Sequence, residues 1–416
     1  RSARPRAKAA WTIEQSIFKP GIDKCDAKNW YETPDVKAAR VDIIWRRTLQ
    51  CGLGKHITQE DDDGGVDADG DGVTDEVMEV GAVIAEFGDV LLALFEFYSC
   101  IGRGEPWDMG FNQYTQMVAD CGLASKDCSK AVVDQIFVLV NAASKKVDDE
   151  ITAATSTAVK RASHTIARST EKSLSADEFI HCIVRIAIAR YVRTAKMKDC
   201  SDAVNELITS QLGRHFPLAR MLDDRDGLRR DACYTEPIDI ILRKHLTALR
   251  ALFETLKVGR GGATNDLISY EGWMAFAAAR LIGPDITERD AILAFIFARR
   301  IVINPHNVRG SIRHRHLPFE PFMEALVRLA PVAAMPTDVE IREAHCRDAA
   351  EYYEWLRAHD ATAFTRLQET RGVAWGEWPT HQPMNRCLDH FLTVVLTRRQ
   401  QGLSREHKER KPHTVA

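Results

Sequence analysis

The chain has 416 residues, 45% of them hydrophobic, and a formal net charge of −3. That length can bury more than one core, while no apolar run approaches the roughly 20 residues needed to cross a bilayer, so a membrane-spanning protein is not expected. The charge is unevenly placed: residues 60–79 hold ten Asp and Glu and no base, leaving 49 acids against 56 bases elsewhere. Both ends are basic, through Arg1, Arg4, Arg6 and Lys8 and through Arg398, Arg399, Arg405, Lys408, Arg410 and Lys411. Such ends suit an acidic partner surface or plain solvation. Ten cysteines follow no C-x-x-C spacing, which points to a reducing, cytosolic setting rather than a disulfide scaffold. The opening R-S-A-R-P-R-A-K lacks Met, as a processed product or a fragment would.

In chain order, residues 1–34 read as an extended N-terminal arm broken by Pro5, Pro20 and Pro34, with Trp11 and Trp30 as anchors. Residues 35–76 read as a helix, Asp35–Gln50, then an acidic, Gly-rich surface loop at 58–76. A long amphipathic helix follows from Val77 to Tyr98. It ends in L-L-A-L-F-E-F (91–97) and I-G-R-G (101–104), and L-R-A-L-F-E-T (249–255) with V-G-R-G (258–261) echoes it. Short helices come next, F-N-Q-Y-T-Q-M-V-A-D-C (111–121) and Y-E-G-W-M-A-F-A-A-A-R (270–280). Then V-V-D-Q-I-F-V-L-V (132–140) matches D-A-I-L-A-F-I-F-A (290–298), with Phe137 aligned to Phe295. Each series closes on a shared phrase, S-L-S-A-D-E-F-I-H-C-I-V-R-I-A-I-A (173–189) and H-L-P-F-E-P-F-M-E-A-L-V-R-L-A (316–330), aligned on Leu174 and Leu317.

These echoes are an internal duplication. Each copy has four helices in two helix–loop–helix units, the count and order of an EF-hand lobe. The expected fold is therefore all-α, a coiled helical repeat of two tandem EF-hand-like lobes at 77–195 and 236–335 with a helical linker at 196–235. Pairing of hands within each lobe is expected, because one hand cannot bury its own apolar faces. A C-terminal extension at 336–400 should hold a helix from Asp338 to Arg357 capped by Thr337, an irregular stretch at 360–380 and a last helix at 384–399, before a basic tail at 401–416.

Calcium takes six to eight oxygen ligands, which an EF-hand loop supplies from positions 1, 3, 5 and 9 and a Glu at 12. With the hydrophobic position 8 set at Met109, Leu174, Ile268 and Leu317, position 12 is Gln113, Glu178, Gly272 and Pro321. Positions 1, 3 and 5 of the last loop are Gly310, Ile312 and His314, and in the second loop roughly 30 residues replace the tight turn. None of the four can form the usual cage. Asp67, Asp69, Asp71, Gly72 and Asp75 do match the start of a calcium loop. There, position 12 is Met78 and Glu79 falls one residue late, so the choice stands between a flexible acidic insert and an unorthodox calcium site. No other cofactor is expected. No P-loop, G-x-S-x-G, H-E-x-x-H or zinc-finger spacing is present. His306, His314 and His316 sit among arginines, as in a solvated basic loop. No pattern signals nucleic acid.

The segments around Trp45, L-L-A-L-F-E-F-Y, A-D-C-G-L (119–123), S-A-D-E-F-I-H-C-I-V-R-I-A-I-A-R-Y (175–191), Y-T-E-P-I-D-I-I-L-R-K-H-L (234–246) and L-P-F-E-P-F-M-E-A-L-V-R-L-A resemble EF-hand-like proteins of flagellated and ciliated protists. A-D-C-G-L is also similar to the tubulin-polymerisation-promoting p25-alpha group. The resemblance spans about residues 29–335. It implies a degenerate EF-hand fold used for protein–protein contact on axonemal microtubules. The expectation is thus a non-enzymatic structural protein of the cilium or flagellum, within a large complex of axonemal proteins and tubulin. Its rivals are a calcium sensor working through residues 67–79 and a regulatory or anchoring subunit of a motor or kinase complex.

Overall fold

The apolar periodicity is realised as helices almost throughout the computed structural model, which describes residues 10–60, 67, 73–102, 104–154, 173–215, 225–257 and 266–409. Both basic ends fall outside this description at 1–9 and 410–416, as do the side chains from 398 onward. The chain divides into two compact units. One comprises Glu32–Asp223 with Val302–Ile312; the other comprises Arg1–Tyr31, Asp224–Ile301 and Arg313–Ala416.

The second unit receives α1 (Lys19–Lys24). The first then takes α2 (Pro34–Gln50), α3 (Leu53–Glu60), α4 (Asp75–Ser99), β1 (Met109–Gly110) and α5 (Phe111–Asp120). It continues with α6 (Lys130–Ala154), β2 (Ser173–Leu174), α7 (Ala176–Ala187) and α8 (Cys200–Glu206). The chain returns to the second unit with α9 (Glu236–Leu256), β3 (Ile268–Ser269), α10 (Tyr270–Arg280), α11 (Glu288–Ala298), β4 (His316–Leu317) and α12 (Phe319–Leu329). The extension adds α13 (Asp338–Glu343), α14 (Ala349–His359), α15 (Ala361–Arg371) and α16 (Met384–Glu409).

In each unit two helix–strand–helix elements meet in a two-stranded antiparallel ladder. Met109 pairs with Leu174 in one and Ile268 with Leu317 in the other, the same four residues that the loop spacing picks out as hydrophobic. The repeated side chains also make repeated contacts. Phe95 lies 5.6 Å from Phe179, and Phe253 lies 5.6 Å from Phe322. Phe111 and Phe137 meet edge-on at 5.1 Å, as do Tyr270 and Phe295 at 5.3 Å. Tyr114 Oη donates to the Val133 carbonyl at 3.0 Å, and in the matching place Trp273 Nε1 donates to the Ala291 carbonyl at 2.9 Å. Aromatic pairs of this kind contribute about 0.5–1.5 kcal/mol each beyond their buried area. The duplication is one of packing as well as of sequence.

Each unit also covers its repeat with a helix of its own. In the first, α2 crosses α4 at Gly88, where a Cβ would fall 2.4 Å from Val41 Cγ2. Farther along α2, Thr48 Oγ1 donates to the Ile44 carbonyl at 2.9 Å and lies 3.2 Å from the Asp177 carbonyl. In the second unit α16 lies on α9, with Lys244 Nζ and His245 Nε2 each 2.7 Å from Asp389 Oδ1.

Several expectations are revised by packing at long range. The supposed extended arm contains α1, and Phe18, Ile22 and Cys25 are buried. Phe18 sits 4.7 Å from Tyr234, and the Ile17 N–H donates to Asp239 Oδ1 at 2.6 Å. The acidic surface loop starts later than 58, because α3 runs on to Glu60, anchored by the fully buried Leu53 and Ile57. The single helix over 338–357 is two: His345 takes a φ of +56° between them, and Asp348 caps the second by accepting from Ala350 N and Glu351 N. Within the stretch expected to be irregular, α15 forms, capped by Asp360. The last helix runs on to Glu409. Thr337 does cap α13, in a capping box with Glu340.

Candidate functional site

The loop ends decide what the paired helix–strand–helix elements can hold. At Glu178, the residue type a calcium loop requires, the carboxylate turns back on its own helix. Ser175 N donates to Glu178 Oε2 at 2.7 Å, and Ser175 Oγ lies 2.9 Å from it. Burial, with the neighbouring Asp177 charge, pushes the Glu178 carboxyl up to about 7. It is a helix cap in a capping box. Pro321 occupies the equivalent place in the first turn of α12, where its missing N–H costs no helical hydrogen bond. Gly272 offers only its N–H, donated to Ser269 Oγ at 3.1 Å. Gln113 folds its amide back into its loop, so close to Gly102 that a Cβ there would lie 1.8 Å from Gln113 Nε2.

Of the acidic stretch, Asp69 and Asp71 lie outside the described residues, whereas Asp67 is half-buried and Asp75 opens α4. At the start of α4, Glu76 and Glu79 come together with Asp199, their carboxylate oxygens within 4.8 Å of one another. These are the three residues among those described that are spaced to hold a divalent cation. Two of them already anchor backbone. Glu76 Oε1 accepts from Ser201 N at 2.8 Å, and Asp199 Oδ1 accepts from Asp202 N at 2.8 Å at the start of α8. Carboxylates are favoured at such helix N-termini. Asp199 is too far from the acidic run in sequence for spacing to have revealed it.

A second polar cluster sits at one shared helix position. On α12, Glu324 Oε1 accepts from Arg229 Nε at 2.9 Å and Arg328 Nη2 at 2.8 Å, and Glu324 Oε2 accepts from Tyr234 Oη at 2.7 Å. Glu324, Arg229 and Arg328 are all buried. Alignment on Leu174 and Leu317 places His181 opposite Glu324 and Arg185 opposite Arg328. His181 is buried with neither ring nitrogen hydrogen-bonded. Burial, with Arg185 and His56 nearby, lowers it to about 3, so the imidazole is neutral.

The remaining chemistry is muted. Burial pushes the thiols of Cys121 and Cys387 up to about 12 and about 11, which keeps them protonated rather than nucleophilic at neutral pH. All ten cysteines are free. The histidines of the basic loop part company: His306 Nε2 is 3.6 Å from Asp177 Oδ1, while His314 Nε2 faces Arg299 Nη1 at 3.0 Å. In the second unit, a cavity of about 260 Å³ is lined by Arg280, Asp285, Tyr353, Arg357, Gln368 and Phe391, just short of the range usual for small-molecule sites. Among the described residues, no helix is long and apolar enough to cross a membrane. No protein-family model, no curated protein and no solved structure matches this chain.

Proposed function

We propose that the chain is a non-enzymatic structural protein whose two EF-hand-like lobes keep their shape without calcium. The pairing of Met109 with Leu174 and of Ile268 with Leu317 supports reading each helix–strand–helix pair as two joined hands. The observation that carries the proposal is that each lobe is covered by the chain's own helix, α2 on α4 in one and α16 on α9 in the other. Calcium sensors work by uncovering an apolar groove for a target helix; a lobe packed against a helix of its own chain supports a reading without that switch. The loops point the same way, with Glu178 serving as a cap and Gln113, Gly272 and Pro321 replacing the closing acid. The setting, an axoneme with microtubules and axonemal proteins as neighbours, follows from the sequence resemblance and the basic ends.

Isothermal titration from about 1 μM to about 1 mM calcium, the span of sensor and weaker sites, should give no saturating heat. A saturating signal would sink the calcium-free reading; its loss in Asp67→Asn or in Glu79→Gln would locate the site. Microtubule co-sedimentation at rising salt checks the setting. Binding should weaken with salt and on removal of residues 1–9 and 401–416. Stoichiometric recovery of a motor or kinase from flagella would favour the anchoring-subunit reading instead.

A further inference from the structure

The second repeat has a cavity at a place where the first has a long side chain. Alignment on Leu174 and Leu317 sets Ala333 opposite Arg190. Arg190 Nη1 donates to the Gly122 and Leu123 carbonyls at 2.7 and 2.9 Å, and so closes the loop that follows α5. Ala333 ends in a methyl. With the corresponding loop after α10, residues 281–286, it lines the cavity of about 260 Å³. The C-terminal extension completes the wall: α14 adds Tyr353 and Arg357, α15 adds Gln368, and α16 adds Phe391, Val394 and Val395. All of these residues belong to the second unit.

The polar groups of the wall are unequally engaged. Asp285, the one acid in it among the described residues, is tied down, its Oδ2 accepting from Ala334 N at 2.8 Å. Tyr353 Oη donates to the Ala334 carbonyl, and Arg280 has an interaction of its own. Arg357 differs. Its guanidinium lies 4.4 Å from the Phe364 ring, and among the described residues no carboxylate pairs with it. A guanidinium laid on an aromatic face keeps its in-plane N–H groups for a planar oxyanion. Gln368 Nε2, 3.9 Å from where a Cβ on Gly283 would stand, likewise has no hydrogen bond among the described residues, and an amide offers two donors. Most of the remaining wall is apolar, through Ile286, Met335, Phe391, Val394 and Val395. We propose that this cavity binds a small monocarboxylate with an apolar tail, its carboxylate held by Arg357 and Gln368. At about 30 Å³ per water-sized group, the volume suits about nine non-hydrogen atoms. The inference does not depend on the ciliary setting or on the calcium question.

Saturation-transfer NMR of the full chain, titrated with hexanoate at neutral pH, tests it. A ligand of that size should bind saturably, with Kd between about 0.1 mM and about 10 mM. Hexanamide and hexylamine keep the tail and change the head, and each should bind at least about tenfold more weakly. Arg357→Gln should weaken hexanoate by about 10- to 100-fold, down to the level of hexanamide, through loss of the charge-assisted hydrogen bonds. Ala333→Arg places the first repeat's side chain in the cavity and should abolish binding of all three. An unchanged thermal midpoint shows that a variant folds; should Ala333→Arg lower it, Arg357→Gln, at an exposed position, decides alone. No saturable hexanoate binding up to about 30 mM, equal binding of hexylamine, or an unaltered hexanoate affinity in Arg357→Gln would each overturn the proposal.

Discussion

In the second turn of the closing helix, the two repeats hold different chemistry in the same frame. Glu324 is clamped by Arg229, Arg328 and Tyr234, whereas His181 is a neutral imidazole without a hydrogen-bond partner. The surrounding aromatic contacts are nearly superposable, at 5.6 Å for both Phe95–Phe179 and Phe253–Phe322. The difference teaches that apolar packing defines this fold while the buried polar position is free to diverge, provided its charge is either satisfied or absent. A carboxylate at 324 needs both arginines; a neutral imidazole at 181 needs no counter-ion and accepts lost hydrogen bonds instead.

The largest expected effect breaks the charged version. Arg328→Ala should cost about 3–5 kcal/mol by urea unfolding, since it leaves buried charge uncompensated. Arg185→Ala, at the half-buried counterpart, should cost clearly less; equal losses would show that the two positions are not different in kind. Next comes the covering helix. Gly88 aligns with Leu246, and Gly88→Leu would drive a side chain into Val41. Overpacking of this sort costs about 1–3 kcal/mol, read as a lower urea midpoint at unchanged slope.

The pH dependence separates the repeats more gently. His181 titrates near 3 when folded against an ordinary 6.5. The unfolded chain therefore binds the extra proton, and stability falls as pH drops from 6.5 towards 3, by up to about 1.4 kcal/mol per pH unit. His181→Leu should flatten that acid limb, and at neutral pH it should be neutral or stabilising by about 1 kcal/mol, as removal of an unpaired polar group is. Glu178 has the opposite sign. Its carboxyl sits near 7 in the fold against an ordinary 4.5, so its contribution is complete below 4.5 and is lost as pH rises through 7. Glu178→Gln should remove that decline while changing stability at pH 4 by less than about 1 kcal/mol, because the amide oxygen still accepts from Ser175 N. No such limb is expected from the second repeat, where Pro321 has no proton to exchange.

The duplication, the helical character and the four residues that join the loops were all legible in the chain. Apolar period and repeated aromatic spacing are local properties that survive into any fold. The departures of the four loops from a calcium-ligand pattern can be read off the chain as well, because ligand positions are counted along it. Contacts between distant segments were not. The meeting of Glu76 and Glu79 with Asp199 and the burial of α1 and α3 depend on which surfaces come together. α6 and α11 make the same point most sharply. Their sequences are alike at Val138-Leu139 and Ile296-Phe297, yet one pair is exposed and the other covered. Helical periodicity determines which residues share a face. What lies on that face is decided by a loop some 80 residues away, through packing that leaves no periodic mark in the sequence.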